Sequence, residues 1–245
     1  MKKLVHTLVL VGLVGAPALV VAAETSPHEI TGNVSLNTDY RYRGVSQTFK
    51  GPAIQGGFDY AHSSGAYLGT WASNVDSEFL NGANIEIDVY GGYGGKITED
   101  LSYDVGGLYY YYPGQSANTT KINTFEVYAG ATWKWLNVKY SHAATKFFGV
   151  TDSKNSNYLE GNVTAPLPMD IELGLHYGHQ KVEGAFGGSY NDWKVGVSKN
   201  VGGFDLGLAY VDTDLSKDEG TITHLDGKSK NLAGATVVLS VGKSF

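Results

Sequence analysis

The feature that most constrains this chain is an alternation of apolar and polar residues with a period of two, sustained over runs of roughly ten residues. Ile30, Gly32, Val34, Leu36, Thr38, Tyr40 and Tyr42 alternate with Thr31, Asn33, Ser35, Asn37, Asp39, Arg41 and Arg43. Successive side chains of an extended chain point to opposite faces, so each set shares one face. The pattern recurs. Ile85, Ile87, Val89 and Tyr93 oppose Glu86 and Asp88; Leu101, Tyr103, Val105, Tyr109 and Tyr111 oppose Ser102 and Asp104. Phe125, Val127, Ala129, Ala131, Trp133 and Trp135 oppose Thr124, Glu126, Thr132 and Lys134. Further on, Ile171, Leu173, Leu175 and Tyr177 oppose Glu172 and His176, Trp193, Val195 and Val197 oppose Asp192 and Lys194, and Phe204, Leu206, Leu208 and Tyr210 oppose Asp205. No segment beyond residue 23 carries a comparable 3.6-residue period, so the chain reads as all-β.

Twelve strands are expected, over 30–43, 53–61, 66–75, 84–94, 101–112, 123–135, 138–147, 157–165, 170–180, 190–199, 203–212 and 233–245. Segments of about ten residues in an even number are the signature of a transmembrane antiparallel up-and-down β-barrel. The connections support this. His62–Gly65, Gly95–Asp100, Leu136–Asn137, Pro166–Met169 and Asn200–Gly202 are short, and those between them are mostly longer, up to Thr213–Leu232. Short turns at one rim and long loops at the other are a barrel pattern that a soluble sandwich has no reason to adopt. Aromatic residues fall at strand ends and predict two belts on the lipid face. Tyr60, Tyr67, Tyr93, Tyr103, Trp133, Trp135, Phe204 and Phe245 form the inner belt, and Tyr40, Tyr42, Tyr109, Tyr111, Phe125, Tyr177, Trp193 and Tyr210 the outer.

Composition closes off other classes. Only 17% of residues are charged, and there are 33 glycines, 17 tyrosines and no cysteine. Disorder needs few aromatics and much net charge. The lack of cysteine excludes a disulfide scaffold, a thiolate metal site and a cysteine nucleophile. A net charge of −6 argues against nucleic acid as a partner.

At the N-terminus, Lys2 and Lys3 precede an apolar run from Leu4 to Val21, then small residues ending at Ala23. This order predicts a secretory signal peptide over 1–23, cleaved before Glu24, and a barrel domain over 24–245. Loss of the two lysines leaves sixteen basic and twenty-four acidic residues, a net charge of −8. The expected destination is the outer membrane of a Gram-negative cell, reached through the periplasm. At the other end Phe245, with Val241, Leu239 and Val237 on its face, is similar to the C-terminal assembly signal of outer-membrane proteins. It implies the outer-membrane assembly machinery as a partner during biogenesis. Lys243 departs from that signal, and a lysine near the membrane edge can snorkel.

Several stretches resemble the start of the TorF family of porin-like proteins, also known as Gcw_chp proteins. They are Thr31–Val34 with Asn37–Thr48, Pro52–Tyr60, Tyr67–Val75, Glu86–Tyr93 and Tyr110–Gly114. The likeness is clearest over 31–114. It implies an outer-membrane barrel with channel function, and it supplies no substrate and no functional residue.

Chemical motifs are few. His176 and His179 are three apart in a strand and point to opposite faces, so they do not share a metal easily. His62 and Ser64 can share a face but sit in a turn without an orienting third group. Gly92-Tyr93-Gly94-Gly95 has no helix after it to hold an anion. Asp212, Asp214, Asp218 and Glu219 lack the spacing of a calcium loop. Neither catalytic residues nor a cofactor or metal is expected. The functional signal lies instead in the polar face. Its acids are Asp39, Asp59, Glu86, Asp88, Asp104, Glu126, Glu160, Glu172, Asp192 and Asp205; its bases are Arg41, Arg43, Lys134, Lys139 and Lys194. Such groups are costly against lipid and natural in a wet lumen. They predict a passive channel for small hydrophilic solutes or ions, mildly cation-selective because acids outnumber bases. Arg41 and Arg43 form a local positive spot near the outer mouth that can neutralise Asp39 and Asp59. Two other readings stay open: a closed barrel acting through its extracellular loops as a binding or structural protein, and a lipid-acting barrel enzyme.

Overall fold

The computed structural model describes residues 26–117, 120–184 and 187–245. The expected signal peptide lies outside them. The alternating segments form β1 (His28–Asn37), β2 (Ala53–His62), β3 (Ala66–Asn74), β4 (Ile85–Lys96), β5 (Leu101–Tyr111) and β6 (Thr124–Trp133). They continue as β7 (Leu136–Ala143), β8 (Asn157–Leu167), β9 (Ile171–Val182), β10 (Gly188–Val201), β11 (Phe204–Thr213) and β12 (Thr236–Ser244). Each pairs antiparallel with its sequence neighbours, and β1 closes the barrel by pairing with both β2 and β12. Closure satisfies both edges of every strand, so no row of backbone groups is left unpaired against an apolar surround. Phe245 extends the seam with two backbone hydrogen bonds to Gly32, of 2.8 and 2.9 Å.

One rim carries the tight turns. Lys134, Met169 and Asp170 take positive φ there, as do Gly65, Gly202 and Gly203. The other rim carries the longer connections, although the link between Val182 and Gly188 is short. The first strand stops earlier than the alternation suggests. It ends at Asn37, and the chain then turns inward, where Arg41–Tyr42 pairs with Val45–Ser46 in a small separate hairpin.

The outer face is apolar along most of each strand. Ile30, Leu36, Phe58, Leu68, Leu208 and Leu239 are all exposed, and a continuous apolar band of this kind suits lipid rather than water. Tyr93, Trp133, Trp135, Phe204 and Phe245 are exposed toward the short-turn rim; Tyr109, Tyr111, Phe125, Tyr177 and Tyr210 toward the long-loop rim. Three expected belt residues are not there. Tyr40 is buried inside the barrel, Tyr42 packs beside it on the inturned hairpin, and Tyr67 is buried on the interior face of β3. Lys243 sits over the Phe204 ring at 5.1 Å, as a snorkelling lysine at an aromatic belt would.

The interior explains the pairing of many glycines with many tyrosines. A Cβ at Gly69 would lie 2.4 Å from the Tyr90 ring, one at Gly92 2.4 Å from the Tyr67 hydroxyl, and one at Gly106 2.5 Å from that of Tyr128. Each tyrosine lies flat along the wall over a glycine on a neighbouring strand. These three rings thus line the lumen by packing against its wall.

Candidate functional site

The hairpin after β1 crosses the lumen. Arg43 and Gly44 form its two-residue tip, with φ of 45° and 82°. Positive φ at both positions is the geometry of the tightest hairpin turn, and it favours glycine at the second. Behind the tip the hairpin is tied to itself. The Asp39 carboxylate accepts hydrogen bonds from Arg41 Nε at 2.6 Å, Ser46 Oγ at 2.6 Å and Thr48 Oγ1 at 3.1 Å. Arg41 Nη1 also donates to the Leu232 carbonyl at 2.7 Å, which fixes the hairpin to the loop between β11 and β12. That loop closes over the top. His224 stacks on Phe49 and lies 3.0 Å from Asp76, and Lys230 Nζ donates to the Phe49 carbonyl.

The tip docks on the far wall. Arg43 Nη2 donates to Glu126 Oε2 on β6 at 2.7 Å, and Nη1 donates to Gln180 Oε1 on β9 at 2.6 Å. The guanidinium also lies 4.2 Å from the Tyr158 ring centroid and 4.8 Å from that of Tyr42. A Cβ on Gly44 would meet Thr213 and Asp192 at 2.4 and 2.8 Å, so the tip fits tightly against β10 and β11.

Carboxylates outnumber cations around this bridge. Glu86 accepts from the Tyr40 and Tyr112 hydroxyls at 2.8 and 2.7 Å, and neither donor carries charge. Asp88 is 1% exposed, and its Oδ1 has no hydrogen-bond partner among the described residues. Glu126 Oε1 is likewise buried without one. Nearer the short-turn rim, Asp59 and Asp104 accept from Tyr90 and Tyr67, each at 2.5 Å. The opposite wall is better balanced. Lys139 pairs with Glu160 at 3.0 Å, and the His176 ring lies between Asp192 at 2.9 Å and Asn162 at 2.7 Å.

The family described as "Bacterial protein of unknown function (Gcw_chp)" matches residues 21–245. The chain belongs to this family. No curated protein matches it in sequence. Among solved structures, the barrel is similar to the KdgM porin, with a TM-score of 0.57 at 11% identity over 88% of this chain and 99% of that chain. The KdgM porin in complex with disordered oligogalacturonate gives 0.51 at 11% identity, over 88% and 98% of the two chains. The NanC porin gives 0.52 at 10% identity, over 87% and 98%. At such identities these likenesses show the fold alone.

Within this Gcw_chp barrel, Asp59, Glu86, Asp88, Asp104, Glu126, Lys139, Glu172, Lys194 and Asp205 lie on the inward-facing register of their strands. Asp39, Arg41 and Arg43 reach the interior by another route, on the inturned hairpin. Lys134 is different. It occupies the turn between β6 and β7 with φ 55°, is half exposed, and faces Asp100 at 3.5 Å outside the lumen. The turn breaks the alternation one residue before it would have placed Lys134 inside. Arg43 pairs with Glu126 rather than Asp59, because the hairpin spans the barrel instead of running along the wall.

Gln180, Tyr158, His176, Tyr110 and Tyr112 also build the site. Gln180, Tyr158 and Tyr110 share parity with a charged inward residue of their own strand, and attention to charge alone passes over them; His176 lies on the polar face of the alternation, and Tyr112 follows β5 directly. His179 points outward to Asn191, opposite to His176. His62 and Ser64 bond each other at 2.8 Å in an exposed turn. Among the described residues, no group of three or more His, Cys, Asp or Glu side chains is placed to hold a metal.

Proposed function

We propose that this protein is an outer-membrane channel of the TorF type, passing small hydrophilic solutes or ions with a mild preference for cations. One observation carries the reading: a closed barrel with an apolar outside holds ionisable residues on its inside, where acids outnumber bases among the described residues. With Lys134 outside the lumen, the inward set falls to four bases against ten acids. Confined negative charge concentrates cations, and screening at about 10 Å in 0.1 M salt limits the effect. The long-loop rim then faces outward, the short turns face the periplasm, and the bilayer and permeating solutes are the partners.

A second reading has its own support. The inturned hairpin, Tyr110, Tyr112 and Leu108 fill much of the long-loop half of the lumen. A closed barrel acting through its outer loops is consistent with that packing. Planar-bilayer recording separates the two. The channel reading expects unitary currents whose reversal potential in a salt gradient shows cation preference, strongest at low ionic strength. Silence across several lipids and voltages removes it in favour of the closed barrel. Currents with anion preference remove only the selectivity.

A further inference from the structure

The pocket that receives Arg43 is built as a receptor. Its floor is the carboxylate of Glu126 and its rim the amide oxygen of Gln180, contributed by strands on different parts of the wall. Two acceptors at 2.7 and 2.6 Å match the two terminal nitrogens of one guanidinium. The faces of Tyr158 and Phe147 lie 4.2 and 5.6 Å from its central carbon, which suits a flat delocalised cation better than a compact, strongly hydrated ammonium. The wall beside the pocket carries further negative charge that Arg43 does not pair. Glu126 is 1% exposed and its Oε1 has no hydrogen-bond partner among the described residues; two strands along the wall, β4 carries the Glu86 carboxylate and Asp88, whose Oδ1 is also without one.

We propose that this pocket is a binding site for guanidinium-bearing solutes, with Arg43 as its tethered occupant, and that such solutes compete with Arg43 and loosen the 38–52 segment. The binding claim stands independently of conduction. Its consequence for permeation rests on the channel reading.

A tethered ligand competes at an effective concentration in the millimolar range. The intact protein therefore resists dilute solute, and removal of the Arg43 side chain exposes the pocket. The hairpin keeps its own ties in that variant, through Asp39, Arg41 and the Leu232 carbonyl.

The test uses the full barrel in detergent, with guanidinium chloride at non-denaturing concentration as probe and sodium and ammonium chloride at equal ionic strength as controls. Wild type, Arg43→Ala and Arg43→Ala/Glu126→Gln are compared by thermal unfolding, each first shown to be folded by heat-modifiable gel migration. Guanidinium alone should raise the unfolding temperature of Arg43→Ala, and the added Glu126→Gln should abolish that rise. An equal response to sodium, or a response that survives Glu126→Gln, overturns the proposal. If Arg43→Ala does not fold, Arg43→Gln takes its place; it keeps a polar side chain and loses the competing cation, and absence of guanidinium stabilisation there overturns the proposal as well. A second arm records potassium current. Half-block of Arg43→Ala by guanidinium should occur at least about tenfold below the wild-type concentration, as expected when a tethered competitor is lost. A thermal shift in a barrel that never conducts keeps the binding site and removes the channel. Currents with neither shift nor block do the reverse.

Discussion

The interior and exterior of this barrel can be told apart by moving one charge by one residue. Leu239 and Ser240 are adjacent in β12. Leu239 is 52% exposed on the outer face and pairs with Leu208 of β11; Ser240 faces inward between Gly207 of β11, which has no side chain, and Asn37 of β1. Leu239→Lys places an ammonium on the apolar band near the middle of the strand. A lysine at the bilayer midplane of such barrels costs about 2–4 kcal/mol. That corresponds to roughly a 30- to 700-fold loss in the folding equilibrium. Ser240→Lys places the same charge inside, on the face that carries Asp205 two residues along the neighbouring strand, and its cost should be under about 1 kcal/mol, as for other solvated or paired surface charges. The assay is reversible folding into lipid vesicles, followed by tryptophan fluorescence across a denaturant series. A large penalty for Leu239→Lys and a small one for Ser240→Lys is the expected result. Equal penalties, or the reverse order, would refute the assignment of faces and with it the membrane-spanning reading.

Two further predictions concern the lumen. Asp88→Asn removes a buried carboxylate with no ion-pair partner among the described residues, so unfolding should shift to higher temperature, by about 1–3 kcal/mol in stability. A fall in the unfolding temperature would mean that ionised Asp88 is held by a partner. Gly44→Val puts a β-branched residue at φ 82° and a Cβ against Thr213 and Asp192, so the hairpin tip should leave its seat. Limited proteolysis should then cut within 38–52 faster than in the wild type, and unchanged resistance would show that the tip is not wedged.

The sequence by itself determined the strands and their faces. Alternation is a local property: a pleated strand sends neighbouring side chains to opposite sides whatever it pairs with, so the inward parity of Asp59, Glu86, Asp104, Glu126 and Lys194 was legible from the chain alone. The tertiary structure decided where alternation stops meaning wall. Asp39, Arg41 and Arg43 continue the rhythm of β1, yet they lie on a hairpin that leaves the wall at Asn37, because hydrogen bonds to the loop between β11 and β12 and to the far wall replace the ladder. Tyr67 sits at a strand end like a belt residue, and only the contact with Asp104, thirty-seven positions away, shows that it turns inward. Lys134 fails in the opposite sense: a positive φ at one turn residue takes it out of the lumen. For the hairpin and Tyr67 the deciding contact joins segments distant in sequence, for Lys134 it is the turn itself, and a period of two records only which neighbours share a face.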